Sequence, residues 1–270
     1  RPLSKHPNAH TDEEITWIKN LIRRNPDITL CELWYKLRIK RGYSRHIGSL
    51  YRVLKRLDFY KEINIKNTSK YVPKKYDTPK QLGIKWQIDV KFVPTCCHSN
   101  KIPEDKKFYQ YTCIDEASRE RFLFWYDERT PVNTVDFVQR CISYYGYKTT
   151  EIQTDNGTEF TWNQSKMKKL HPLGELCLKL DIDHHKIKPR TPRHNGKVER
   201  SHRNDNERFY NNLKFDSLED LRIKGKKYLE RSNKIPMAVL GYKTPLEKRQ
   251  ELIISFLNNY NTFISLVNAK

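Results

Sequence analysis

Across 270 residues, 52 Lys and Arg stand against 32 Asp and Glu, a formal net charge of +20, beside 37% hydrophobic residues. That length holds one sizeable core with a smaller unit beside it, and the positive excess, spread along the chain, favours a nucleic acid over a membrane surface or mere solubility. No run approaches the roughly 18 apolar residues of a membrane span, and no apolar segment follows Arg1-Pro2-Leu3-Ser4, so neither a membrane protein nor a signal peptide is expected.

Three helices are expected within residues 1–62. Thr11-Asp12-Glu13-Glu14 is a capping box, in which Thr11 and Glu14 satisfy each other's exposed amides. Ile15, Trp17, Ile18, Leu21 and Ile22 follow at helical spacing until Asn25-Pro26 ends the run. A second box, Thr29-Leu30-Cys31-Glu32, opens a helix with Leu33, Trp34 and Leu37 on its apolar side, broken at Gly42-Tyr43. Ser44 is expected to cap the third helix, with Ile47, Leu50, Tyr51, Leu54 and Leu57 buried and Arg45, His46, Ser49, Arg52, Lys55 and Arg56 on the other face. Two short helices, a tight turn and a basic third helix describe a helix-turn-helix, although any three-helix bundle with a solvated basic face shares the pattern. Residues 1–80 hold 19 Lys and Arg against 8 Asp and Glu, and that concentration favours DNA. Arg45, His46, Ser49 and Arg52 are then the side chains expected near bases or phosphates. Residues 63–82, with Lys74 and Lys75 after Pro73, read as a basic linker able to track a phosphate backbone.

A catalytic unit is expected over 83–250, followed by a tail at 251–270. Trp86 to Phe92 alternates apolar and polar and reads as a strand with Asp89 on its polar side. Tyr109–Asp115 and Phe122–Tyr126 complete an antiparallel meander. A helix over about 132–145 follows, then a short strand, Glu151–Thr154, that delivers Asp155 into the turn dipeptide Asn156-Gly157. After an irregular stretch at 161–180, Asp183–Ile187 reads as a fifth strand, and a helix carrying Glu199 begins near Asn195. The order βββαβαβα is an α/β pattern with a mixed five-stranded sheet flanked by helices.

Six cysteines, at 31, 96, 97, 113, 141 and 177, form no Cys-x-x-Cys pair, which suits buried thiols in a reducing cytosol better than a disulfide framework. Cys96-Cys97-His98 is too compressed for a tetrahedral zinc site.

Each acid has an ordinary reading by itself: Asp89 as a solvated strand residue, Asp155 as a turn former, Glu199 as one helix charge among several. Together they stand at a strand centre, a strand end and a helix start, places that converge on one edge of such a sheet. A divalent ion there would relieve their repulsion.

These motifs resemble the integrase-like DDE transposases of bacterial insertion sequences, which share an RNase H-like core with retroviral integrases. Asp89 in Trp-Gln-Ile-Asp-Val matches the first acid and Asp155 in Thr-Asp-Asn-Gly-Thr-Glu-Phe the second. Glu199 in Asn-Gly-Lys-Val-Glu-Arg matches the third, and Leu240-Gly-Tyr-Lys-Thr-Pro-Leu-Glu247 is similar to the family's C-terminal signature. With 43 residues between Asp155 and Glu199, the interval exceeds the commonest form of the pattern.

The resemblance implies a transposase that binds transposon ends, cleaves DNA strands and transfers a 3′-hydroxyl into target double-stranded DNA as a homo-oligomer in a bacterial cytoplasm, near the nucleoid. It implies two Mg²⁺ ions per site, replaceable by Mn²⁺, held by Asp89, Asp155 and Glu199, with Asp89 bridging both. Asn195, His202 and Arg203 share the helical face of Glu199, while Lys197 and Arg200 turn toward flanking phosphates. Asn156 shapes the turn and meets substrate. Leu218–Leu229 and the apolar run Leu252–Leu257 are candidates for contacts between copies, the latter packing more readily on its own domain. A DNA-binding derivative without catalysis is expected to lose a carboxylate. An RNA–DNA hybrid nuclease leaves the N-terminal unit unexplained.

Overall fold

The computed structural model describes residues 8–59, 77–162, 169–187 and 195–268. Lys74, Lys75 and most of the expected linker lie outside them. The chain divides into two compact units, Arg1–Tyr76 with Ile235–Thr244, and Asp77–Lys234 with Pro245–Lys270.

In the first unit, α1 (Asp12–Arg24), α2 (Leu30–Arg41) and α3 (Ile47–Arg56) close on Ile18, Leu33, Leu37, Tyr43, Leu50, Val53 and Leu54. The first capping box forms as expected: Glu14 N–H donates to Thr11 Oγ1 at 3.1 Å and Thr11 N–H to the Glu14 carboxylate at 2.8 Å. Two details of α3 differ from expectation. His46, not Ser44, caps it, its Nδ1 accepting the Gly48 N–H at 3.0 Å, because the helix begins only at Ile47. Val53 takes the buried place expected of Tyr51, which is 46% exposed, since Leu50, Val53 and Leu54 complete the inward stripe at i, i+3 and i+4. The Gly-Tyr-Lys-Thr segment also belongs to this unit, with the Tyr242 ring 4.9 Å from that of Trp34.

The second unit is built on a five-stranded sheet of order β3-β2-β1-β4-β5. β1 (Lys85–Phe92), β2 (Tyr109–Asp115) and β3 (Arg121–Tyr126) form the antiparallel meander. β4 (Glu151–Thr154) and β5 (Asp183–Lys186) join parallel to β1. α4 (Pro131–Tyr145) supplies the crossover that a parallel neighbour of β1 requires. The helix that the order βββαβαβα places between the fourth and fifth strands is α5 (Pro172–Leu180), inside the stretch read as irregular. Pro172 sits in its first turn, where a missing N–H costs nothing, and the His171 ring caps it by accepting from Leu173 N–H at 3.1 Å.

Because side chains alternate along a strand, the sheet has two unlike layers. Trp86 and Ile88 from β1, Tyr111 and Cys113 from β2 and Ile152 from β4 pack against Phe137, Val138, Cys141 and Tyr145 of α4 and Leu173 and Cys177 of α5. On the other face lie α6 (Gly196–Arg208) and α7 (Leu218–Ser232). α7 comes so near β3 that a Cβ on Gly225 would stand 2.2 Å from the Trp125 ring. Leu221, Tyr228 and Leu229 of α7 are buried against the sheet, while Ile223 on its other face is 52% exposed.

Residues expected to form a separate tail continue α8, Pro245–Asn268, so the boundary expected at 250 falls inside one helix. Its apolar run does not pack on its own unit as expected: Ile254 is 58%, Phe256 62% and Leu257 49% exposed. Among the described residues no helix is long and apolar enough to cross a membrane.

Candidate active site

β1 and β4 run parallel with Gln87 opposite Gln153. Two residues beyond that pair lie Asp89, still on β1, and Asp155, the first residue after β4, close enough for the charge of Asp155 to act on Asp89. Asp89 Oδ1 accepts the Val90 N–H at 2.9 Å. Asp155 Oδ1 accepts the Gly157 N–H at 2.9 Å, and the turn is tied to the end of β5 by Asn156 Nδ2 donating to the Ile187 carbonyl at 2.9 Å.

The third acid comes from α6, which lies along β1. Val198 N–H donates to Gln87 Oε1 at 3.3 Å, His202 Nδ1 is 3.5 Å from Asp89 Oδ2, and Lys91 Nζ donates to Asn206 Oδ1. Four helical residues rise about 6 Å and two strand residues about 6.6 Å, so the contacts stay in step. Glu199, next to Val198, is thereby brought to the rim of the carboxylate pair, with its side chain exposed.

Burial pushes the Asp89 carboxyl up to about 7, the charge of Asp155 adds to the rise, and Glu199 and Glu159 contribute further against the opposing bond from Val90. His202 Nε2 lies 3.0 Å from Oγ1 of Thr112, the cross-strand partner of Asp89. Burial first, then Lys91 and Arg121, lower His202 to about 4 against the pull of Asp205, so the ring is neutral at pH 7. Among the described residues no three His, Cys, Asp or Glu side chains are gathered tightly enough to hold a metal ion. The donor set of Asp89, Asp155 and Glu199, all carboxylate oxygens with one acid held up by burial and by its neighbours, fits a hard divalent cation.

Several expected contacts are placed differently. Lys197 does not reach outward: it pairs with Glu116, and burial lowers it to about 8 although Glu116 opposes the shift. Asn195 is buried at the start of α6, and its Oδ1 has no hydrogen-bond partner among the described residues. Arg200 and Arg203 are exposed. In the helical unit, Arg45 is a clamp and not a free cation, its Nε 2.7 Å from Glu14 and its guanidinium donating to the Asn8 and Ala9 carbonyls at 2.8 and 2.9 Å. Arg52 remains exposed, and with Ser49, Lys55 and Arg56 it lines an open depression of about 830 Å³. His46 spends its Nδ1 on the cap.

Sequence reasoning missed the buried polar network beside the site. Asp205 on α6 accepts from Arg121 at 2.8 Å, Gln110 at 2.8 Å and Tyr228 at 2.7 Å, and Gln110 also donates to Thr112. It missed Glu159 too, whose motif was visible but whose burial was not.

Two sequence profiles of the integrase core domain match residues 79–192 and 180–245. A curated relative, the putative integrase ORF3 of Spiroplasma virus SpV1-C74, is 32% identical over 177 residues, covering 62% of this chain and 47% of that protein. The chain thus spans about half the length of that relative. Among solved structures, a chain of the simian T-cell lymphotropic virus intasome, in complex with the PP2A regulatory subunit B56 gamma, matches with a TM-score of 0.50 at 16% identity, over 82% of this chain and 74% of that one. The catalytic core domain of BIV integrase matches with a TM-score of 0.46 at 22% identity, over 66% of this chain and 99% of that one. The intasome match is a likeness of fold alone. The two profiles together span residues 79–245, more than half of the chain, and the chain belongs to the integrase core domain family.

Proposed function

We propose that this protein is a DNA transposase or integrase that binds transposon ends, cleaves a DNA strand and joins the resulting 3′-hydroxyl to target DNA. What supports the reading most is the raised Asp89 carboxyl, pushed up by burial and then by the charges of Asp155 and Glu199 nearby. These three residues would hold the divalent cations. When bound, Mg²⁺, or Mn²⁺ in its place, at two ions per site supplies positive charge at the phosphorus and at the attacking and leaving oxygens.

The chain's own residues do the rest. The Gly157 amide orients Asp155, and the Val90 amide and the His202 ring hold Asp89. The neutral His202 brings no positive charge to compete for the carboxylate. Arg200 and Arg203, exposed on α6, contact the flanking backbone, and Asn156 meets the strand at the turn. In the helical unit, Ser49 and Arg52, together with Lys55 and Arg56, face the transposon end, and Lys74 and Lys75 follow its phosphates. Phe256 and Leu257, exposed on α8, support self-association on DNA. The surroundings are cytoplasmic, beside the nucleoid.

The test incubates the protein with Mg²⁺ or Mn²⁺, a labelled transposon-end duplex and a plasmid. Cleaved and joined products are expected from the natural chain and not from Asp155→Asn. Equal products from both sink the reading.

A further inference from the structure

The turn after β4, Asp155-Asn156-Gly157-Thr158-Glu159-Phe160, carries one acid with no place in the mechanism above. Glu159 is 2% exposed, and its Oε2 has no hydrogen-bond partner among the described residues. Arg129 approaches the other oxygen at 3.6 Å and is itself 39% exposed. A carboxylate buried at such cost is expected to have a use that packing alone does not supply.

Gly157 indicates that use. A Cβ built on it would stand 2.5 Å from Glu159 Oε2, 2.6 Å from Cδ and 2.7 Å from Oε1. Its φ is not positive, unlike that of Gly42, Gly83, Gly146 and Gly241, so the constraint on Gly157 is space, and the Glu159 side chain alone sets it. Gly157 also holds the turn together. Its N–H donates to Asp155 Oδ1, and its carbonyl accepts from Phe160 and Thr161 at 3.0 Å each. Phe160 is fully buried in the apolar layer, which fixes the far end of the turn. The Glu159 carboxylate is therefore wedged against Gly157, with Arg129 at 3.6 Å, and any shift of Gly157 moves the amide that orients Asp155.

We infer that Glu159 is a positioning residue for Asp155, acting through Gly157, and that these two residues are a matched pair in which the carboxylate of one fills the space a side chain on the other would need. Arg129 is the exposed handle of the wedge: its guanidinium balances the buried charge from the solvent side. The inference rests on the proposed function only where it calls Asp155 a catalytic acid. The geometry is independent of it.

The experiment is a double-mutant cycle on thermal unfolding of the full chain, joined to hydrogen exchange at the Gly157 amide. Gly157→Ala is expected to lower Tm by about 4–8 °C, as overpacking does. In a Glu159→Ala background the same substitution is expected to cost less than about 2 °C. Equal losses in the two backgrounds overturn the pairing. Exchange at the Gly157 amide reports its bond to Asp155, and it is expected to quicken at least about tenfold in Glu159→Ala and return toward the natural rate in Glu159→Gln, which keeps the shape. Unchanged exchange in Glu159→Ala overturns the positioning role. Neither readout needs DNA or metal, so an inactive natural chain counts against the proposed function and leaves this test intact.

Discussion

Trp86 and Ile88 leave β1 on one side, Gln87, Asp89 and Lys91 on the other, and the two layers they enter hold together by different physics. The first is apolar, close-packed and without direction, its stability proportional to the area taken out of water. In the second, each buried polar group needs a partner. Asp205 has them: burial pushes its carboxyl up, yet the charge of Arg121 and the bonds from Gln110, Arg121 and Tyr228 bring it below its ordinary value. Asp89 lies on the same face, and its near neighbours are acids, so burial and repulsion add. The polar layer is balanced at one end of α6 and left unbalanced at the other, and that unbalanced end is the site.

The largest effect is expected from breaking the balanced end. Arg121→Leu strands the Asp205 carboxylate, fully buried, and should cost about 3–5 kcal/mol in urea unfolding. Replacing Asp205 by Leu as well should recover most of that loss, because the pair's desolvation cost disappears with both partners. A double variant as unstable as the single one would show that the Arg121–Asp205 pairing is not what matters.

The unbalanced end should respond in the opposite sense. Asp89 has a folded pKa of about 7, above the roughly 3.9 of an unfolded Asp, so the stability tied to its protonated form is complete below pH 4 and lost as pH rises through 7. Asp89→Asn does not titrate. It should be more stable than the natural chain by on the order of 1–3 kcal/mol at pH 8, with the difference vanishing near pH 4. No gain at pH 8 in metal-free urea titrations would contradict the repulsion.

The smallest effect serves as control. Lys101 and Asp216 form a salt bridge at 2.5 Å with both side chains largely in solvent. Lys101→Ala should leave Tm unchanged within error, because water already solvates both charges. A measurable drop would show that charge pairing as such, and not burial, sets the contrast.

Most of the sheet was legible in the sequence because alternation is a local signal: β2 and β4 have the bounds expected of them. α5 was harder, since Pro172 and Gly174 look like breakers until Pro172 is seen in a first turn. The three acids could be named from their motifs, and the parallel pairing of β1 and β4, as far as Gln87 and Gln153, brings two of them to the same end of the sheet. What local pattern cannot carry is the partner far along the chain. Arg45 reads as a DNA contact until Glu14, 31 residues earlier, claims it. Lys197 reads as solvent-facing until Glu116 is found beneath it. Arg121 and Asp205, 84 residues apart, carry no mark that they meet.

The central claim is that burial, and after it the charge of Asp155 with a smaller share from Glu199, hold the Asp89 carboxyl up. Carbon-13 NMR titration of the aspartate carboxyls in metal-free protein measures this directly. One aspartate, lost in Asp89→Asn, should titrate near 7, fall part of the way toward the ordinary range when Asp155 is replaced by Asn, and fall further when Mg²⁺ is added. An Asp89 that titrates near 4 in the natural chain, or is indifferent to both changes, would contradict the account.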